Sequence, residues 1–160
     1  MHLFTAPQTF RPSGRYTIFL AGSIETGRAY DWQNDMIDFL SSYDIDVLNP
    51  RRKEWDPSWV QSRDNMQFYE QVQWELYGLG CADLILMYLL PETISPISLL
   101  ELGLFAQSGK MVVCCPDGFQ RSGNVEIVCE QYRIACLKNV EDFFTYTQNK
   151  VVQFAKSSLQ

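Results

Sequence analysis

The run ADLILMYLL, Ala82 to Leu90, is apolar almost throughout and does not alternate. A strand with one wet face alternates apolar and polar residues, so an unbroken run calls for cover on both faces. Strands covered on both faces belong to parallel sheets sandwiched between helices. This segment alone therefore argues for an α/β fold.

The neighbouring segments agree. YTIFLAG (Tyr16–Gly22) is a short apolar run closed by glycine, IDVLNP a second run stopped by Pro50, and MVVCCP and RIACL two more. Between them lie segments of helical spacing. Trp32, Met36, Phe39 and Leu40 share one face of RAYDWQNDMIDFLSSY, and MQFYEQVQWELYGLG reads as a helix ending at Gly78 or Gly80. SPISLLELGLFAQSGK opens with Ser95 as an N-cap and Pro96 at the first helical position. NVEIVCEQY and NVEDFFTYTQNKVVQFAKS supply two further helices. The polar, Trp-rich stretch RRKEWDPSWVQSR reads as a loop over the end of the sheet, with a short helical turn at Asp56–Pro57. The alternation predicts a five-stranded parallel sheet in a three-layer α/β sandwich. Residues 1–160 form one domain, with 1–15 a loosely ordered N-terminal segment.

Composition narrows the chemistry. A net charge of −6 argues against nucleic-acid polymers and anionic membranes as partners, since both require basic surface. No segment approaches a membrane-spanning length, and the N-terminus lacks the basic start and apolar run of a signal peptide. The five cysteines follow no zinc spacing, and Cys114–Cys115 are adjacent inside an apolar run, which points to reduced thiols and a cytoplasmic protein. The only histidine is His2, on a segment expected to be mobile. Histidine-based triads and histidine–metal chemistry are thereby removed. Carboxylates remain as the acid, base and nucleophile, and neither a metal nor an organic cofactor is called for.

Two carboxylates stand out. Glu101 sits among Leu99, Leu100, Leu102 and Leu104 on the helix that follows the most hydrophobic strand. Ligands of such sheets bind at the carboxyl ends of the strands, where that helix begins. Glu75 lies near the end of the helix that leads into the same strand. Each has a bland alternative, a paired structural glutamate for Glu101 and a solvated one for Glu75. Asp83 reads as a cap on neighbouring backbone. AGSIETGR (Ala21–Arg28) joins the first long strand to the first helix. Its Gly22 and Gly27 permit a tight turn, Ser23 offers a hydroxyl, and free N–H groups at a helix start attract anions. NPRR places Asn49, Arg51 and Arg52 at the end of the second strand, where an arginine could grip phosphate. Asn124 stands at a helix start, as a cap or as a contact to base or sugar.

Taken together, IFLAGSI, NPRR, Trp74–Glu75, Ala82–Asp83, SPISLLELG and PDGF…GNVEIVC resemble the nucleoside 2-deoxyribosyltransferase superfamily, most closely its transferase-like branch. The resemblance runs from about Tyr16 to Cys129 and implies a flavodoxin-like, Rossmann-like sandwich. It implies that Glu101 is the nucleophile that attacks the anomeric carbon of a 2-deoxyribosyl group, forming a covalent intermediate that passes to a second nucleobase or to water. Glu75 matches an acidic position near the base, commonly aspartate in the family. Ser95 and the GSI…Gly-Arg pattern ending at Arg28 are similar to the related 2′-deoxynucleoside 5′-monophosphate N-hydrolases. Phe19 stands where both groups carry a tyrosine that orients the nucleophile. Three readings follow: a transferase acting on deoxynucleosides and free nucleobases, a monophosphate hydrolase, and a nucleotide-binding module without turnover. Phe19, Gly22, Ser23, Arg28, Asn49, Arg51, Ser95 and Asn124 are the implied substrate contacts. The resemblance also implies a homodimer or larger homo-oligomer in which a neighbour completes each site.

Overall fold

A computed structural model describes residues 1–24 and 30–157. Twelve elements follow one another along the chain. They are β1 (His2–Thr5), β2 (Thr17–Gly22), α1 (Trp32–Leu40), β3 (Asp46–Asn49), α2 (Met66–Cys81), β4 (Leu84–Tyr88), α3 (Pro96–Phe105), a 3-10 turn (Ala106–Ser108), β5 (Met111–Cys114), α4 (Ser122–Tyr132), β6 (Ala135–Leu137) and α5 (Val140–Ser157). All strand pairs are parallel, in the order β1-β3-β2-β4-β5-β6.

The unbroken run in the sequence becomes β4, and its two faces enter two different cores. Ile85 and Met87 join Phe19, Leu48 and Val113 beneath α2, α3 and α4, with Trp74, Leu102 and Val125. Leu84, Leu86 and Tyr88 join Ile18, Leu20 and Val112 beneath α1 and α5, with Trp32, Met36, Leu40 and Phe143. Period-two side-chain direction on a strand covered twice builds the three-layer sandwich. Asp83 has the capping role expected of it, since its Oδ2 accepts the Thr17 N–H at 2.9 Å at the start of β2.

The sheet has six strands rather than five, and the N-terminal segment is not loose. His2, expected on a mobile terminus, begins β1, which pairs with β3 from His2↔Asp46 to Thr5↔Asn49. The chain then returns across the face of the sheet. Phe10 is buried against Trp74 and Tyr77 at ring separations of 5.4 and 5.1 Å, and the Trp74 indole N–H donates to the Gln8 carbonyl at 2.8 Å. Aromatic burial and a paired indole order a segment that its own propensities leave undecided. At Asp56–Pro57 the chain makes a turn without a helix, with Asp56 Oδ1 accepting from Ser58 N at 2.8 Å. Ser95 precedes Pro96 as expected but does not cap. Its backbone is left-handed, at φ 41°, and no side-chain bond to the helix start forms.

Candidate active site

The strand order places β2 and β4 side by side at the centre, with connections leaving to opposite sides. This is the switch point at which parallel sheets open a crevice beyond their carboxyl ends. The loops after β2 and β4 meet there through hydroxyls. Ser23 Oγ lies 2.7 Å from Ser95 Oγ and 2.9 Å from Thr93 Oγ1, and Ser95 and Thr93 are 3.0 Å apart. Leu90 N donates to Ser23 Oγ at 3.0 Å, and Thr93 donates to the Leu90 carbonyl at 2.7 Å. All three residues are buried. Ser95 therefore ties the loop before α3 to the end of β2 instead of capping α3.

That tie sets where α3 begins and which of its residues face inward. Ser98, Glu101 and Leu102 are its buried residues, while Ile97, Leu100 and Leu104 are more than half exposed. Glu101 is 8% exposed. Among the described residues no lysine or arginine forms an ion pair with it and no hydrogen-bond donor meets it. Burial pushes its carboxyl up to about 8, and the nearby charge of Glu75 adds to the rise. Glu101 is thus a carboxyl group without a partner among the described residues, in an apolar setting.

Glu75 comes from α2, on the same side of the sheet. Burial raises its pKa, and a donated hydrogen bond from Gln71 Nε2, at 2.9 Å, offsets part of the rise. Gln71 also donates to the Pro50 carbonyl at 2.8 Å. Phe19, beneath α2, is fully buried, 6.1 Å from the Trp74 ring. The ring occupies the space left by Gly78, where a Cβ would stand 2.7 Å from Phe19 Cε2. Phe19 supplies shape to this core and no hydroxyl to the carboxylates.

The remaining expected contacts scatter. Asn49 Oδ1 accepts from Arg51 N at 3.0 Å, a turn-forming bond at the end of β3. Arg51 is turned toward α1, bonded to Gln33 Oε1 at 3.2 Å and paired with Asp31 at 3.3 Å. Arg52 stacks over Trp59 at 4.9 Å, and its buried Nε and Nη1 have no partner. Gly22 carries the tight turn expected of it, at φ +119°. Gly27 and Arg28 lie outside the described residues. Asn124 is exposed on α4 and lines a groove of about 420 Å³ with Leu99, Leu102 and Val128, apart from the two glutamates. Among the described residues no His, Cys, Asp and Glu cluster could hold a metal ion.

Sequence reasoning passed over Gln71 and Thr93. A helical glutamine reads as surface, and the one available signal was its spacing of four residues before Glu75. The cluster can carry out nucleophilic and acid–base chemistry together. Burial favours the protonated form of both carboxyls, and a pair of this kind can supply one group that attacks and another that donates a proton.

Comparison with known proteins bears on the fold and the family. No curated protein matches the chain. A solved structure described as a conserved protein from Enterococcus faecalis V583 shares the fold, with a TM-score of 0.61 at 14% identity, covering 85% of this chain and 99% of that one. The family described as nucleoside 2-deoxyribosyltransferase like matches residues 15–119, which contain β2 through β5 together with Glu75, Ser95 and Glu101, and the chain belongs to that family.

Proposed function

We propose that this protein cleaves the N-glycosidic bond of 2′-deoxyribonucleosides through a covalent deoxyribosyl-Glu101 intermediate and passes the sugar to a second nucleobase. The observation that carries this reading is the buried Glu101 carboxyl, without an ion-pair partner among the described residues and acted on by the charge of Glu75. A Glu101 oxygen attacks the anomeric carbon as the carbon–nitrogen bond breaks. The bonding pair leaves with the base, which takes a proton from Glu75. An incoming base then gives its ring N–H proton to Glu75 and attacks the same carbon, the carbon–oxygen bonding pair returns to Glu101, and two inversions give retention.

This step draws on the form in which Glu101 is ionised and Glu75 carries the proton, although Glu101, raised to about 8, is the more strongly raised of the two and holds the proton in the resting pair. With both carboxyls protonated there is no nucleophile, and with both ionised there is no acid. The pair holds its last proton up to about pH 8. A bell-shaped rate is therefore expected, falling above about pH 8. Glu75→Gln is expected to slow turnover by about 100-fold and to flatten the alkaline limb, because the donor no longer titrates. A wild-type rate in that variant would return Glu75 to an ordinary helical glutamate.

A second reading, hydrolysis of deoxynucleoside 5′-monophosphates, draws support from Arg52. Two of its guanidinium nitrogens are buried near the carboxyl end of β3 without a hydrogen-bond partner among the described residues, an arrangement suited to an anion. Chromatography separates the readings. The protein is incubated with each deoxynucleoside and each 5′-monophosphate, with and without a second base. A new nucleoside that forms only with the added base supports transfer. Free base and deoxyribose phosphate from monophosphates alone support hydrolysis, and no product from any of them leaves a binding role.

A homodimer through α3 belongs to the same proposal. Ile97, Leu100 and Leu104 are 58%, 59% and 58% exposed on a helix that is apolar on nearly every side, and such helices are ordinarily covered. The double variant Leu100→Glu, Leu104→Glu is expected to shift the light-scattering mass from dimer to monomer. A monomeric wild type, or an unaltered dimer in the variant, would remove this interface.

A further inference from the structure

Gln71 is a glutamine in a place where a helix would normally bury an apolar residue. It is 4% exposed, one turn before Glu75 on α2. Both of its described bonds use the same nitrogen, which donates to the Pro50 carbonyl at 2.8 Å and to Glu75 Oε1 at 2.9 Å. The orientation of the amide is fixed by these partners. Turning it over would set its carbonyl oxygen against a backbone carbonyl and a carboxylate, both acceptors. Its own Oε1 is buried and has no partner. An unmatched buried carbonyl costs stability, and an apolar side chain of similar length would fill the volume without that cost. What the glutamine provides is the N–H group.

The consequence falls on Glu75. A carboxyl group accepts a hydrogen bond more strongly on its carbonyl-type oxygen than on its hydroxyl oxygen. With Oε1 engaged by Gln71, a proton on Glu75 resides on Oε2. Pro50, the first residue after β3, fixes the other end of the arrangement, so that Glu75 is tied to the end of that strand as well as to its own helix.

We propose that Gln71 is a positioning residue, which holds Glu75 by one oxygen so that the other carries the proton delivered to the departing base. This rests on the proposed glycosidic reaction and assigns within it how the acid is oriented. Glu101 of α3 is the titratable group on which the charge of Glu75 acts, raising its pKa. Among the described residues neither carboxylate has an ion-pair partner.

The test replaces Gln71 by methionine, which keeps the length and lacks the N–H, and reads three quantities. The first is kcat and KM for the best nucleoside substrate, and the second is the pH profile of kcat. The third is the titration of the Glu75 side-chain carboxyl carbon by ¹³C NMR, assigned with Glu75→Gln. For Gln71→Met, kcat is expected to fall about 10- to 100-fold, with KM within about twofold of wild type. The pH profile and the Glu75 titration are both expected to move to higher pH, because a donor favouring the charged form is gone. A kcat within about twofold of wild type overturns the proposal. So does a lower kcat with profile and titration unmoved, which is what a merely structural glutamine would give. If Gln71→Met does not fold, Gln71→Asn, too short to bridge both partners, is read in the same way and decides. If the wild-type protein turns over no nucleoside, the proposed reaction fails on its own. The titration then decides whether Gln71 holds Glu75, with an unmoved Glu75 overturning it.

Discussion

Replacing Glu101 by glutamine is expected to abolish turnover and, at the same time, to make the protein more stable. The first effect follows from the proposed covalent step. An amide cannot supply the oxygen that attacks the sugar, so the rate should drop by about 1,000-fold or more. The second follows from burial. In the folded protein the carboxyl keeps its proton up to about 8, whereas an ordinary glutamate releases it at 4.5. Between those values the folded state binds a proton that the unfolded state has released, so stability falls as the pH rises through the window. Below the window both states are protonated and the substitution should change little. Above it the wild type bears the full cost of an ionised buried carboxylate, about 5 kcal/mol, and the glutamine variant does not. Denaturant titrations of both proteins at pH 4 and pH 8.5 would measure it. Equal pH dependence in the two would mean that Glu101 is not the strained group, and retained activity would remove it as nucleophile. A residue whose loss stabilises the fold while ending its chemistry is held for function.

Gly22→Ala is expected to destabilise the protein by about 3 to 5 kcal/mol, one of the largest effects available to a single methyl group. Gly22 ends β2 at φ +119°, a backbone conformation that side chains strongly disfavour. A Cβ there would also stand 2.3 Å from the Tyr88 carbonyl oxygen and 2.7 Å from Tyr88 N, both rigid backbone at the end of β4. Relief requires the two central strands to part. Parting them breaks the Ser23 N–H bond to the Tyr88 carbonyl, now 2.9 Å, and loosens the hydroxyl cluster that seats α3. For a domain of this length the loss corresponds to a fall of about 10 °C or more in Tm. A melting temperature within about 2 °C of wild type would show that the close approach of β2 and β4 is not rigid.

Much of this fold was legible because its elements bury most of what they contain. β2, β3, β4 and β5 are buried at every position, and β2, β4 and β5 read as almost unbroken apolar runs. α1 buries Trp32, Met36 and Leu40 at helical spacing, as the sequence implied. β1 gave no such signal. HLFT sits at the sheet edge with two exposed and two half-buried residues, so neither alternation nor a run marks it. The site was legible as two glutamates but not as a geometry. α3 is apolar almost all round, so its sequence does not say which face turns inward. Ser95 followed by proline has the form of a cap, and only the long-range contact with Ser23 draws it elsewhere. Gln71 and Arg52 lie in polar stretches that look solvated, and their burial depends on segments distant in sequence.

The edge strand also orders events in time. His2 pairs with Asp46, and β3 must serve both β1 and β2. A chain made from its N-terminus therefore releases residues 2–5 long before their partner exists. The central partners Ile18 and Leu84 lie further apart in sequence than His2 and Asp46, so loop closure delays the centre of the sheet more than its edge. β3 is also made before β4, so the edge pair has both of its strands before the central pair does. The segment that follows β1 presses Phe10 onto Trp74, so an early edge pairing brings in the ring against which the helix bearing Glu75 later settles.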